Sequence, residues 1–238
     1  MPIIDSYTIL GSWPQAEVDL SVEALAAGMQ ARGVSRCLVS HTTAVFYDTV
    51  LGNDLAVQLS RQYEPLLPAA VINPLRYPDC LAEIDRCLSG GIKVFRLCPR
   101  EHAYPFSAQV GPLREVLRRL EPAALLLADL VGLPQPVIGA EIEDLLPGPT
   151  AVTVDAEQLG VAIWSAKQGQ NLWIETSRLD SGGAVEAAVK HVGAARVIFG
   201  SGAPLRSLGS AVMSVQYAEM SEPDRAAIFE GNVLRVLA

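Results

Sequence analysis

Residues 66–98 read LLPAAVINPLRYPDCLAEIDRCLSGGIKVFRLC, and the way they alternate decides the fold. LLPAAVI and IKVFRLC are short, nearly continuous apolar runs, the form taken by strands buried on both faces. Between them YPDCLAEIDRCLSGG has helical periodicity, with Cys80 and Cys87 seven apart on one face. It ends in Gly90-Gly91, where a left-handed cap residue is expected. Strand, helix and strand in this order make a parallel β-α-β unit. Arg96 is the odd residue, a guanidinium in a strand that otherwise reads as core.

The same alternation continues in both directions. The other strand candidates are PIIDSYTIL, SRCLVSH, AALLLAD, TAVTVDA, LWIETS and ARVIFGS, which brings the number to eight. Helical patterns separate them: SVEALAAGMQARG, NDLAVQLSRQY, GPLREVLRRLE, a short AEIEDLL, LGVAIWSAKQG and GGAVEAAVKHVG, with a last helix or helix pair from Gly209 to Leu237. Gly33 and Gly193 sit at helix ends, as Gly91 does. Eight strands with alternating helices and no break in composition predict an α/β fold, a single (β/α)8 TIM barrel domain spanning 1–238. An open doubly wound sheet is the alternative, but no G-x-G-x-x-G follows the first strand. The stretch 130–150 reads as a long connection on the active face with a reduced helix.

Half of the 238 residues are hydrophobic and 18% are charged, which is ample for a large core. The net charge of −8 argues against nucleic acid, whose binding depends on Lys and Arg, and against an anionic membrane surface. There is no apolar run long enough for a spanning helix and no secretory leader pattern, so the cytoplasm is the expected location. Cys37, Cys80, Cys87 and Cys98 form no C-x-x-C pair, so reduced structural thiols are expected rather than zinc-ribbon or redox chemistry.

In such a barrel the reacting groups stand at the strand C-termini and in the loops that follow. Those ends hold Tyr7 and Ile9, His41, Asn73, Arg96 and Cys98, Asp129, Asp155 to Gln158, Glu175 to Ser177, and Ser201-Gly202. Three segments there carry a family pattern. IIDSYTILG (3–11) resembles an opening I-D-x-H-x-H-x-G. The 71–99 segment resembles one in which a proline follows strand three, a helix ends in Gly-Gly and strand four reads G-x-K-L-H-P. VIFGSGAP (197–204), with the closing EGNVLRVL, resembles F-G-S-D-x-P and a final G-N-A-x-R-L-L helix. On these motifs the chain resembles the amidohydrolase superfamily, specifically the amidohydrolase-2 branch of metal-dependent TIM-barrel hydrolases.

The resemblance implies a divalent metal held by alternating histidines on strand one, by others after strands five and six, and by an aspartate on strand eight. Here those places hold Tyr7 and Ile9, Ala128 or Asp129, Gln158, and Gly202, while Arg96 stands where other branches place a lysine. A catalytic zinc needs about three protein ligands, and only Asp129 is left to serve. No metal or other cofactor is therefore expected, unless other residues re-form a zinc site.

The candidate catalytic residues are Asp129, His41, Arg96 and Cys98, and the candidate ligand-binding residues are Tyr7, Arg96, His102, Glu175, Ser177 and Gln158. Arg96 needs partners if buried, and Asp5, Asp129, Asp155 and Glu175 are the carboxylates near enough in strand position. His41 precedes TTAVFYD, read as an aromatic loop, and His191 reads as a helix-end residue. One reading is a barrel that has lost the metal and binds a small, anionic molecule or serves as a non-catalytic homologue. The other is a metal-independent or unusually liganded hydrolase, lyase or decarboxylase acting on a small carboxylate. A barrel kept for assembly, with only an interaction surface, is a third; separately, barrels of this kind often form homo-oligomers.

Overall fold

The computed structural model describes residues 1–14, 16–133 and 144–238. Its strands are β1 (Ile3–Leu10), β2 (Val34–His41), β3 (Leu66–Ile72), β4 (Val94–Leu97), β5 (Leu125–Asp129), β6 (Thr150–Thr153), β7 (Leu172–Glu175) and β8 (Val197–Ile198). They pair in chain order and every pair is parallel. The segment after β8 closes the ring onto β1: Ser6 N donates to Phe199 O at 2.9 Å, Gly202 N to Tyr7 O at 2.8 Å and Ile9 N to Ala203 O at 3.0 Å. The predicted (β/α)8 barrel is what the chain forms.

Helices Val22–Arg32, Thr49–Gln62, Asp79–Ser89, Gly111–Arg119, Leu159–Ala166 and Ala184–Val192 alternate with the strands. Local signals start and stop them. Ser21 and Asp48 cap two N-termini with their side chains. Gly33, Gly91 and Gly193 all have positive φ, as their places at helix ends required. The expected AEIEDLL helix begins at 140–143, which lie outside the described residues. TTAVFYD departs from its reading as a loop. Thr42–Phe46 is a short helix, and His41 caps it by accepting Thr43 N–H at Nδ1, 3.2 Å away. Among the described residues, no helix is long and apolar enough to cross a membrane.

Alternation along each strand sorts the side chains. Phe95, Leu97 and Ile72 point outward and pack with Ile84, Leu113 and Val116 of the helices, all of them fully buried. Each such side chain contributes about 1.5–3 kcal/mol by leaving water. Ile4, Leu38, Val94, Ala151, Trp173 and Ile198 point inward and fill the lower barrel, where Val233, Val236 and Leu237 of the final helix stop the floor. The β2–β3 ladder ends at Pro68, and Asn53 takes over at Val71. Its side-chain amide exchanges both hydrogen bonds with the Val71 backbone, at 2.8 and 3.0 Å.

One irregularity positions the site. Asp5 pairs with Cys37 and Thr8 with Val39, so Ser6 and Tyr7 together oppose the single Leu38. This is a β-bulge, which re-aims the residues after it. Ile4 sits in the floor, yet Tyr7, three residues on, also faces the barrel axis and lines the mouth with Ile9.

Candidate functional site

The strand C-termini surround a cavity of 240 Å³. Tyr7, Ile9 and Trp13 line it from β1 and the loop after it, Arg100 and Glu101 from the turn after β4, and Asp129 and Val131 from β5. Arg178 contributes from after β7, and Gly202, Leu205 and Arg206 from after β8. Two carboxylates and three guanidiniums thus share one small space.

At its base the Tyr7 hydroxyl donates to Asp129 Oδ2 at 2.5 Å. Burial pushes the Asp129 carboxyl above its usual range, against the pull of the Tyr7 hydrogen bond, and burial with the Asp129 charge pushes the Tyr7 phenol well up. The Arg96 guanidinium lies against the Tyr7 ring, 4.1 Å from its centre, a cation–π contact in a desolvated place. Its nitrogens make long hydrogen bonds to the Ser6 and Thr8 carbonyls, at 3.4 and 3.5 Å, on either side of the bulged Tyr7.

Arg96 therefore departs from the expected carboxylate pairing. Asp5 is taken by Ser201, accepting its N–H at 3.0 Å and its hydroxyl at 2.5 Å. Asp155 pairs with Arg178 at 2.6 Å. Glu175 accepts the hydroxyls of Thr153 and Ser177, at 2.8 and 2.7 Å, and the Ser177 N–H at 2.7 Å. Burial raises Asp5 and Glu175 each to about 7. Both lie beneath the cavity rather than on its wall.

The structure thus brings Tyr7, Asp129 and Arg96 together, and joins Glu175 to Ser177 below them. The other candidates fall elsewhere. His41 is the helix cap already described. Cys98 is buried against Ile9, Val45 and Val71, and burial drives its thiol well above the ordinary range. His102 is buried and its Nε2 meets the Val45 carbonyl at 3.1 Å. Gln158 donates to Leu133 O at 3.0 Å, away from the cavity lining. Sequence reading missed Arg100, Glu101, Arg178 and Arg206. Each stands within a few residues after a strand end, so position was a signal, but charged loop residues are commonplace there.

A family model described as amidohydrolase, of the amidohydrolase-2 type, matches residues 3–238. The chain belongs to the amidohydrolase family. No curated protein matches it. Solved structures similar to this amidohydrolase-family chain include an uncharacterised TIM-barrel protein from Bordetella bronchiseptica, 16% identical, with a TM-score of 0.78 over 100% of this chain and 98% of that one. A dihydroxybenzoic acid decarboxylase from Polaromonas sp. JS666, solved with bound manganese and the inhibitor 2-nitroresorcinol, is 14% identical with a TM-score of 0.77, covering 99% and 96%. A 2,6-dihydroxybenzoate decarboxylase from Rhizobium is 14% identical with a TM-score of 0.76, covering 99% and 98%.

Membership in the amidohydrolase family raises the question of a divalent metal. The residues at the mouth do not fit one of the family type. Position 7 is a phenol already hydrogen-bonded to Asp129, and position 9 a hydrocarbon packed on Val71 and Cys98. Gly202 has φ +71°, and a β-carbon there would lie 3.0 Å from Arg206 Cδ, so an aspartate would be strained. Among the described residues, no three of His, Cys, Asp and Glu converge on a common point.

Proposed function

We propose that the barrel mouth binds a small, carboxylate-bearing anion without the family's metal. The observation that carries this is the cavity's charge. Arg100, Arg178 and Arg206 line it, while the family's ligand places hold Tyr7, Ile9 and Gly202. Arg178 and Arg206 are held by Asp155 and Asp180, at 2.6 and 2.8 Å, which pre-orients them for the paired hydrogen bonds a carboxylate accepts. Trp13 and Tyr7 offer aromatic surface for a planar ligand, and the Rhizobium and Polaromonas enzymes are named for dihydroxybenzoates.

Elemental analysis of protein purified without chelator, combined with calorimetric titration of 2,6-dihydroxybenzoate and benzoate before and after EDTA, tests this. The expected result is metal far below one per chain and binding that EDTA leaves unchanged. Stoichiometric manganese or zinc, with binding lost on its removal, overturns the proposal.

The Tyr7–Asp129 hydrogen bond favours a second reading, acid–base turnover of the same anion. In a decarboxylation the electrons of the breaking C–C bond pass to the ligand carbon, CO₂ leaves, and Asp129 supplies the proton that replaces it. Arg96, lying on the Tyr7 ring, holds that pair in place. His41 and Cys98 have no part in this reading. CO₂ release that Asp129→Asn abolishes while its melting profile stays normal supports turnover; its absence from the wild type limits the site to binding.

A further inference from the structure

The helical stop on the barrel floor is incomplete. A second cavity, of 460 Å³, lies between the N-terminal ends of β1 to β4 and the final helix, Asn232–Leu237. It is at the opposite end of the barrel from the mouth and shares no lining residue with it. Ile4 and Leu38, both fully buried, are its innermost lining. Strand pairing explains why it stays open. The β2–β3 ladder ends at Pro68, which has no N–H to donate, and β3 pairs with β4 only from Ala69 and Val94 upward. Leu67 and Ile92, below that first pair, therefore line the recess, opposite Leu234 and Leu237 of the helix.

The walls are apolar, but the charge on them is one-sided. Arg36 and Lys93, both exposed, line the cavity, and no acidic side chain does. In a chain of net charge −8 this is a local reversal of sign. Lys93 Nζ donates to Leu237 O at 3.0 Å, which holds the ammonium beside the helix end and leaves two of its three donors. Arg36 belongs to none of the ion pairs among the described residues. Leu234 remains 41% exposed, so apolar surface at the rim stays in water. The volume is within the range of about 300–1,000 Å³ usual for small-molecule sites. A recess of this kind admits a single chain, whereas a protein partner needs a broad surface of about 1,000 Å² or more.

We infer that the barrel floor is a second binding site, for a single-chain amphiphile with a carboxylate head. The alkyl chain lies between Leu67, Ile92, Leu234 and Leu237, and the carboxylate meets Arg36 and Lys93, whose N–H groups supply charge-assisted hydrogen bonds. The inference is independent of the reading of the mouth. A ligand seated here ties the final helix to β2, β3 and β4 and stabilises the folded chain by mass action.

The test is a calorimetric titration of hexanoate, octanoate, decanoate and 1-octanol. Affinity is expected to rise about tenfold for each two carbons added to the acid, the worth of two buried methylenes. Octanol should bind about tenfold more weakly than octanoate, the loss of a hydrogen-bonded charge. In Arg36→Gln/Lys93→Gln that preference for the acid falls to near parity, and Leu234→Glu, which puts an anion at the rim, abolishes decanoate binding. These positions are exposed, and an unchanged melting profile confirms that the variants fold. Arg178→Ala, a change in the mouth, should leave decanoate binding as it is.

No binding of decanoate, affinity that is flat with chain length, or a preference for the acid that survives the double variant overturns the inference. Decanoate binding lost in Arg178→Ala overturns it as well, by assigning the acid to the mouth. Binding to phosphatidylglycerol vesicles that the double variant abolishes would make the floor a membrane contact instead of a site for a free acid.

Discussion

Glu175 costs the fold stability at neutral pH, and Glu175→Gln should recover it in a pH-dependent way. The carboxyl is raised from 4.5 to about 7, with burial as the leading cause and the hydrogen bonds from Ser177 and Thr153 opposing it. A raised acid is neutral in the folded chain where it is already ionised in the unfolded one. Its contribution is therefore fully present below the unfolded value and is lost as pH rises through the folded one. Integrating between those limits, the penalty is about 1 kcal/mol at pH 5 and about 3 kcal/mol at pH 8.

Glutamine removes the titration but keeps the shape, and its amide can exchange hydrogen bonds with the two hydroxyls. Urea denaturation of both proteins at several pH values from 5 to 8 gives the comparison. The advantage of Glu175→Gln over wild type should grow by about 2–3 kcal/mol across that range. Taking the difference matters, because His41 and His102 are held below their usual 6.5 by burial and act in the opposite direction. Asp5, also near 7, is raised in part by the Glu175 charge, so in the variant it is raised less and adds to the growth in the same direction. A difference that is flat with pH, or a variant weakest at pH 8, would refute the reasoning.

Three further outcomes are expected. Gly200→Ala places a methyl against Glu175 Oε1 and within 3.0 Å of Tyr7 Cβ; overpacking there should cost about 1–3 kcal/mol, read as a lowered midpoint in urea, and an unchanged midpoint would mean that the carboxylate is free to move. All four cysteines are buried and free, so a thiol reagent should label none in the native protein at pH 8 and all four after unfolding; rapid native labelling of one would contradict its burial. Arg178→Ala or Arg206→Ala should weaken benzoate binding about tenfold, and wild-type binding should weaken with added salt; titrations insensitive to both would remove the arginines from the site.

The barrel was legible because its information is periodic. Uninterrupted apolar runs of strand length, separated by amphipathic helices, leave few other ways to bury both faces of each strand. Side-chain facing within a strand followed as well: Val94 and Arg96 point in while Phe95 and Leu97 point out. Facing across the bulge was not legible. Nothing in IIDSYTIL announces that Ser6 and Tyr7 oppose one residue, and a strict count of two puts Tyr7 and Ile4 on opposite sides. The pairing of Arg96 failed for a related reason. Charge arithmetic offered four carboxylates, but each found a nearer donor, and the carbonyls beside the bulge took their place. The arginines of the mouth were hidden more simply, since the direction of a loop side chain depends on a backbone path that composition does not encode.

The position of Arg96 constrains any redesign of this barrel. Imidazoles placed at positions 7 and 9, with an aspartate at 202, would gather a ligand set directly above a guanidinium that is locked to the β1 backbone. An incoming divalent ion would then meet a fixed positive charge a few ångströms away, in a place where water screens it poorly. Repair of the ligands alone would yield an empty site. Arg96 has to be neutralised first, and a chain carrying only that change would have a weakened barrel interior and no metal to show for it. Ligand placement and neutralisation of Arg96 are therefore coupled changes, and each is expected to need the other.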